Sequence, residues 1–152
     1  MNYEFLAGLT EGEGCFLVRE RAGVWVVEFE IWQKRPDVLT AVMNAFPSYP
    51  WRIRAKREGW VLALGQHASL DDLISHIGPK LLAKRREAEM CHAIIGAMTT
   101  LKGRRVGASK TLDAMCYAVV AMKGQNTRDD LALGVPPSAE KLNAYLNRRV
   151  IV

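Results

Sequence analysis

The nonapeptide Leu6-Ala7-Gly8-Leu9-Thr10-Glu11-Gly12-Glu13-Gly14 places carboxylates where a short helix runs into glycine. Asn2 is a candidate N-cap, Phe5, Leu6 and Leu9 recur at helical spacing, and Gly12 to Gly14 supply the stop, which predicts a helix over 2–10. A helix C-terminus carries unpaired carbonyls and the negative end of the dipole, so Glu13 is unfavourable there without a compensating cation. Carbonyl and carboxylate oxygens are the donors that hard cations prefer, which makes Gly12 and Glu13 candidate ligands for magnesium (Mg2+) or calcium (Ca2+). Small residues Ala7 and Gly8 permit close packing against another helix. Two such helices in a symmetric pair bring both Glu13 carboxylates together, the acidic cluster that phosphodiester cleavage by bridging metals requires. Taken alone, the same peptide also suits a small-residue helix with a glycine cap and solvated acids.

Those residues need a scaffold to position them. Cys15 to Glu20 and Val24 to Trp32 alternate apolar with polar around Arg21-Ala22-Gly23, predicting a β-hairpin with Val27, Phe29 and Ile31 on one face and Glu28 and Glu30 on the other. Pro36 sits where a first helical turn tolerates proline, and Val38, Leu39, Val42, Met43 and Phe46 predict a second helix. After the break at Pro47 to Pro50, Trp51 to Lys56 and Trp60 to Leu64 flank Arg57-Glu58-Gly59 as a second hairpin. Ser69 with Asp72 resembles a capping box ahead of a helical face formed by Leu70, Leu73, Ile74 and Ile77, and a longer helix is expected from after Pro79 to about Met98. Gly103 to Gly107 reads as a basic loop, Lys110 to Lys123 as a helix stopped by Gly124, Gln125 to Pro137 as irregular chain and Ser138 to Arg149 as a last helix. The order α-ββ-α-ββ-α followed by extra helices implies an α+β fold, one antiparallel sheet with helices segregated to one face.

At 152 residues the chain has the length of one domain, with a core over about 1–100 and a helical extension over about 108–152. Apolar residues at 49% and charged residues at 24% exclude a disordered or collagen-like chain. No apolar run approaches the roughly 18 residues of a membrane span. The acidic amphipathic start is unlike a basic signal peptide, so a soluble intracellular protein of the cytoplasm or an organelle is expected. Cys15, Cys91 and Cys116 are odd in number and embedded in apolar stretches, which suits core residues and not a disulfide frame or zinc site. His67, His76 and His92 show no close ligand spacing. A net charge of +5, doubled in a dimer, favours a polyanionic partner.

Leu6 to Gly14 resembles the motif of the LAGLIDADG homing endonucleases, matching at Leu6, Ala7, Gly8, Leu9, Glu13 and Gly14. The α-ββ-α-ββ-α order is also that of the family, whose antiparallel sheet is saddle-shaped. The resemblance implies a metal-dependent DNA endonuclease, intron-encoded, that cleaves both strands of a long pseudo-palindromic double-stranded DNA target. By the same resemblance, Glu13 binds metal, Gln33 orders water near it, and Lys84, placed on the helix after the second hairpin, stabilises charge on the scissile phosphate. Asp37 stands where related enzymes present an arginine, leaving Lys34 or Arg35 to replace it. A single motif implies a homodimer, with Phe5, Leu6, Ala7, Gly8, Thr10 and Glu11 at the seam and one active site per subunit.

A two-stranded ribbon fits the major groove, where arginine reads guanine and glutamate accepts from cytosine. Strand alternation places Arg52, Arg54 and Lys56 on one face of the second hairpin, and Leu17, Arg19 and Arg21 together with Val26, Glu28 and Glu30 on the first. With Lys34, Arg35 and Val61 they form the expected DNA-reading set. Arg104, Arg105 and the segment Lys123 to Arg128 are further candidates for phosphate contacts. The alternative is a non-cleaving nucleic-acid-binding protein on the same scaffold, an intron RNA maturase or a DNA-binding regulator.

Overall fold

A computed structural model of the chain describes residues 1–101 and 103–124. The irregular segment and last helix expected beyond residue 124, and most of the Lys123 to Arg128 segment, lie outside the described residues. The elements are α1 (Tyr3–Glu13), β1 (Gly14–Arg21), β2 (Val24–Gln33), α2 (Asp37–Ala45), β3 (Arg52–Lys56), β4 (Gly59–Leu64), α3 (His67–Ile77), α4 (Arg85–Thr100) and α5 (Lys110–Gly124), with a 3-10 turn Gly78–Lys80 between α3 and α4. Among the described residues no helix is long and apolar enough to cross a membrane.

The strands form one sheet in the order β1-β2-β4-β3, with β4 antiparallel to both β2 and β3. Tight two-residue turns make both hairpins. Ala22 (φ 51°) and Gly23 (φ 78°) are left-handed at the first, and Arg57 (φ 58°) at the second, the conformation that matches strand twist. Register places Phe29 opposite Leu64 and Ile31 opposite Leu62, so these four fully buried side chains share one face of the sheet.

Asn2 caps α1 as expected, its Oδ1 accepting from the Phe5 amide at 3.0 Å. The helix outlasts its expected end. Gly12 stays helical, and the stop comes at Gly14, whose backbone is extended (φ −84°, ψ 158°). A Cβ at Gly14 would lie 2.8 Å from backbone and side-chain atoms of Thr10, so only glycine lets the chain leave the helix here. The capping box at Ser69 is corrected: α3 begins at His67 with Gln66 as N-cap, and Ser69 Oγ donates to Gln66 Oε1. The reason is that the Gln66 carbonyl already accepts from the Leu70 amide (2.9 Å), so helical bonding starts straight after β4. The helix expected after Pro79 is also shorter, since Pro79 belongs to the 3-10 turn and Leu81 is extended and fully buried, which delays α4 to Arg85.

The residues group into two compact units. In the unit of residues 1–17 and 27–95, Tyr3, Tyr49 and Asp72 tie α1, the segment after α2 and α3 together. Tyr49 donates its hydroxyl proton to Asp72 (2.7 Å) and meets the Tyr3 hydroxyl at 2.9 Å, while the Tyr3 ring stacks on His76. Burial and these hydrogen bonds push the Tyr49 phenol well above the usual tyrosine range. In the unit of residues 18–26 and 96–152, the described residues centre on Trp25, whose indole N–H donates to Asp113 Oδ1 (2.8 Å) and whose ring meets Tyr117 edge-on. Arg105 forms a β-bridge with Val24, and Arg104 offers its carbonyl to the Trp25 amide (2.7 Å), so the expected basic loop is fixed through its backbone.

Candidate active site and nucleic-acid interface

Glu13 is the last residue of α1, exposed, at the carbonyl end of the helix. The cation that this position calls for is present in the chain itself. Lys84 Nζ donates to the carbonyls of Thr10 (2.8 Å) and Gly14, which lie on either side of Glu13 in sequence. An ammonium there satisfies orphan carbonyls and opposes the negative end of the helix dipole. Lys84 lies in the connection before α4 and not within a helix, a correction to its expected placement that follows from the late start of α4.

Glu11 completes this arrangement from the other side. Its carboxylate accepts from the backbone amides of Leu82, Ala83 and Lys84, so the connection carrying Lys84 is gripped by an acid from the helix it caps. Gln33 closes β2, where it stands opposite Trp60 of β4. Two distant parts of the sequence, the end of α1 and the connection before α4, thus meet through Glu11, Thr10, Gly14 and Lys84. Among the described residues no group of three or more His, Cys, Asp or Glu is placed to hold a metal ion. Of the proposed replacements for the missing arginine, Arg35 is engaged by Asp37 itself (2.7 Å), and Lys34 is exposed.

The seam expectation needs correction at three positions. Leu6, Ala7 and Thr10 are buried inside the isolated chain at 0%, 3% and 0% exposure, and Thr10 Oγ1 is bonded to the Leu6 carbonyl (2.7 Å), so they face the chain's own interior. Glu11 is occupied by the amides before α4. Phe5 and Gly8 remain exposed on α1, and a Cβ at Gly8 or Gly12 would meet open space.

The face of the sheet opposite the core carries the expected DNA-reading residues of β2, β3 and β4. Arg52, Arg54 and Lys56 are exposed, as expected. Glu28 and Glu30 are not: both are buried, and each is paired with the basic row. Arg54 Nη2 lies 2.6 Å and Lys56 Nζ 3.1 Å from the two oxygens of Glu30, and Arg52 approaches Glu28 at 3.9 Å. The cause is the strand between them. On this face β4 presents only Gly59, Val61 and Ala63, small enough for side chains of β2 and β3 to meet above it. Val61, expected at the DNA, is accordingly 1% exposed. A direct bond from Glu28 or Glu30 to cytosine is therefore corrected, because their carboxylates lie beneath the cations.

Trp32, which sequence reasoning passed over, belongs to the same face and is 40% exposed; its ring lies over Gly59, where a Cβ would come within 2.6 Å of it. On the first hairpin, Leu17, Arg19 and Val26 are half-buried and Arg21 is exposed.

This architecture, a four-stranded antiparallel sheet with its helices, is the LAGLIDADG homing endonuclease fold. No family model matches the sequence, and no curated protein matches it. Among solved structures, the homing endonuclease I-TnaI superposes with a TM-score of 0.66 at 18% identity, covering 97% of this chain and 97% of that one. The LAGLIDADG homing endonuclease I-SmaMI bound to cleaved DNA gives 0.69 at 15% identity, over 98% of this chain and 49% of the other. The LAGLIDADG meganuclease I-AabMI bound to uncleaved DNA gives 0.67 at 19% identity, over 80% of this chain and 44% of the other. The chain thus spans nearly all of I-TnaI but about half the length of the other two.

Proposed function

We propose that the protein is a site-specific double-stranded DNA endonuclease that works as a homodimer with divalent metal, magnesium being the supporting ion. The observation that carries this reading is the Lys84 ammonium set on the carbonyls that flank Glu13. An acid and a base are held together at one helix end, on a fold whose solved examples include endonucleases bound to DNA. The single copy of the motif in the sequence supports the dimer, since the acidic cluster needs a second Glu13.

Glu13, with the carbonyl of Gly12, would hold the metal, and its donor set fits an ion completed by a second copy and by phosphate oxygens. A hard cation there supplies Lewis acidity to the phosphodiester. Lys84 presents positive charge where negative charge grows on the phosphate. Gln33, an amide with both donor and acceptor, orients water at the same end of the sheet. Arg52, Arg54 and Lys56 face the major groove and read base edges, with Arg19, Arg21 and Lys34 as further contacts.

The test is magnesium-dependent cleavage of a randomised pseudo-palindromic duplex library by the native protein beside Glu13→Gln. Native protein should cut a small set of sequences, and Glu13→Gln should bind that set and leave it whole. If both proteins enrich the same duplexes and neither cuts, the non-cleaving binding protein replaces this reading.

A further inference from the structure

The basic row of β3 is held from below. Glu30 has 7% of its side chain exposed, whereas Arg54 and Lys56, which it binds through separate oxygens, have 49% and 42%. Glu28 stands in the same relation to Arg52, and Gly65 leaves room for that pair, since a Cβ there would lie 3.2 Å from Arg52 Nη2 and 3.5 Å from Glu28 Oε1. Long basic side chains have many rotamers, and an unanchored one follows the nearest phosphate, which carries no sequence information. A carboxylate shared by two cations removes that freedom before DNA arrives and weakens their pull on phosphate generally.

We infer that Glu30, supported by Glu28, is a positioning residue for sequence discrimination: it fixes the directions of Arg54 and Lys56 while staying off the DNA itself. The inference rests on the DNA-binding reading of this sheet face. It predicts effects of opposite sign, which sets it apart from a merely structural role. Losing the carboxylate charge should strengthen binding to any duplex and weaken the preference for the right one.

The experiment compares the full native chain with Glu30→Gln and Glu30→Asp on the duplex most enriched by the native protein and on a scrambled duplex, across a salt series. Glu30→Gln should bind the scrambled duplex several-fold more tightly, with a salt slope steeper by about one per subunit. Its preference for the enriched duplex should fall about tenfold. Glu30→Asp keeps the charge but loses reach, so its preference should fall without tighter binding to the scrambled duplex, and it carries the test if Glu30→Gln fails to fold. Equal weakening on both duplexes, or a native preference in Glu30→Asp, overturns the inference. A native protein that prefers no duplex sinks the DNA reading itself, which is a distinguishable result.

Discussion

A methyl group at position 14 would sit 2.8 Å from the Cα, Cγ2 and carbonyl oxygen of Thr10, whereas one at position 12 would meet nothing within 4 Å. These two of the three glycines in the nonapeptide therefore do different work. Gly14→Ala forces backbone apart and should cost about 1–3 kcal/mol, read from urea denaturation. Gly12→Ala replaces glycine inside a helix with open space around it, and should leave stability unchanged or raise it by up to about 1 kcal/mol. A harmless Gly14→Ala would show that the turn out of α1 relaxes where the geometry says it does not. At this scale the sequence was legible where a residue's own chemistry decides its place, as at the Asn2 cap. It was not legible for Glu28 and Glu30, whose burial depends on three small residues of a strand about thirty positions later. The signal was there: small residues alternating on β4 between acids on β2 and bases on β3, visible only once the order β1-β2-β4-β3 is known.

Helices and strands were legible because their periodicity is local; what joins them was less so. The start of α4 moved from the neighbourhood of Pro79 to Arg85 because tertiary bonds, chiefly the Glu11 carboxylate on the amides of residues 82–84, hold that stretch out of the helix. The junction of α1, the segment after α2 and α3 has its own signature in pH. Tyr49 is buried with its phenol raised above the ordinary value, mainly by desolvation and then by its bonds to Tyr3 and Asp72. A raised folded value means that the neutral phenol stabilises the fold fully below the unfolded value, about pH 10, and that this contribution is lost as the pH rises towards the folded value. Native protein should therefore lose stability in urea above about pH 10 more steeply than Tyr49→Phe, which has no phenol there to ionise. Parallel profiles for the two would remove Tyr49 as the cause.

For the whole molecule the question is what α1 meets. Its interior-facing residues Leu6, Ala7 and Thr10 are spent on the chain's own core, and Phe5 and Gly8 stay exposed. If a second copy packs there as proposed, Gly8→Leu should leave the subunit as stable as before, since the position is open, yet convert a sedimenting dimer into a monomer at the same concentration. A native protein that sediments as a monomer with and without DNA would end the homodimer reading. The paired charges on the sheet bear on a different property of the assembly, the timing of an encounter. Beyond a screening length of about 8 Å, three cations interleaved with two carboxylates resemble little more than one positive charge, so they contribute little to the speed of approach. If the sheet binds DNA as proposed, the same row is at contact a fixed pattern of donors, and what it governs is how long a duplex stays: wrong sequences leave quickly, and the right one lingers.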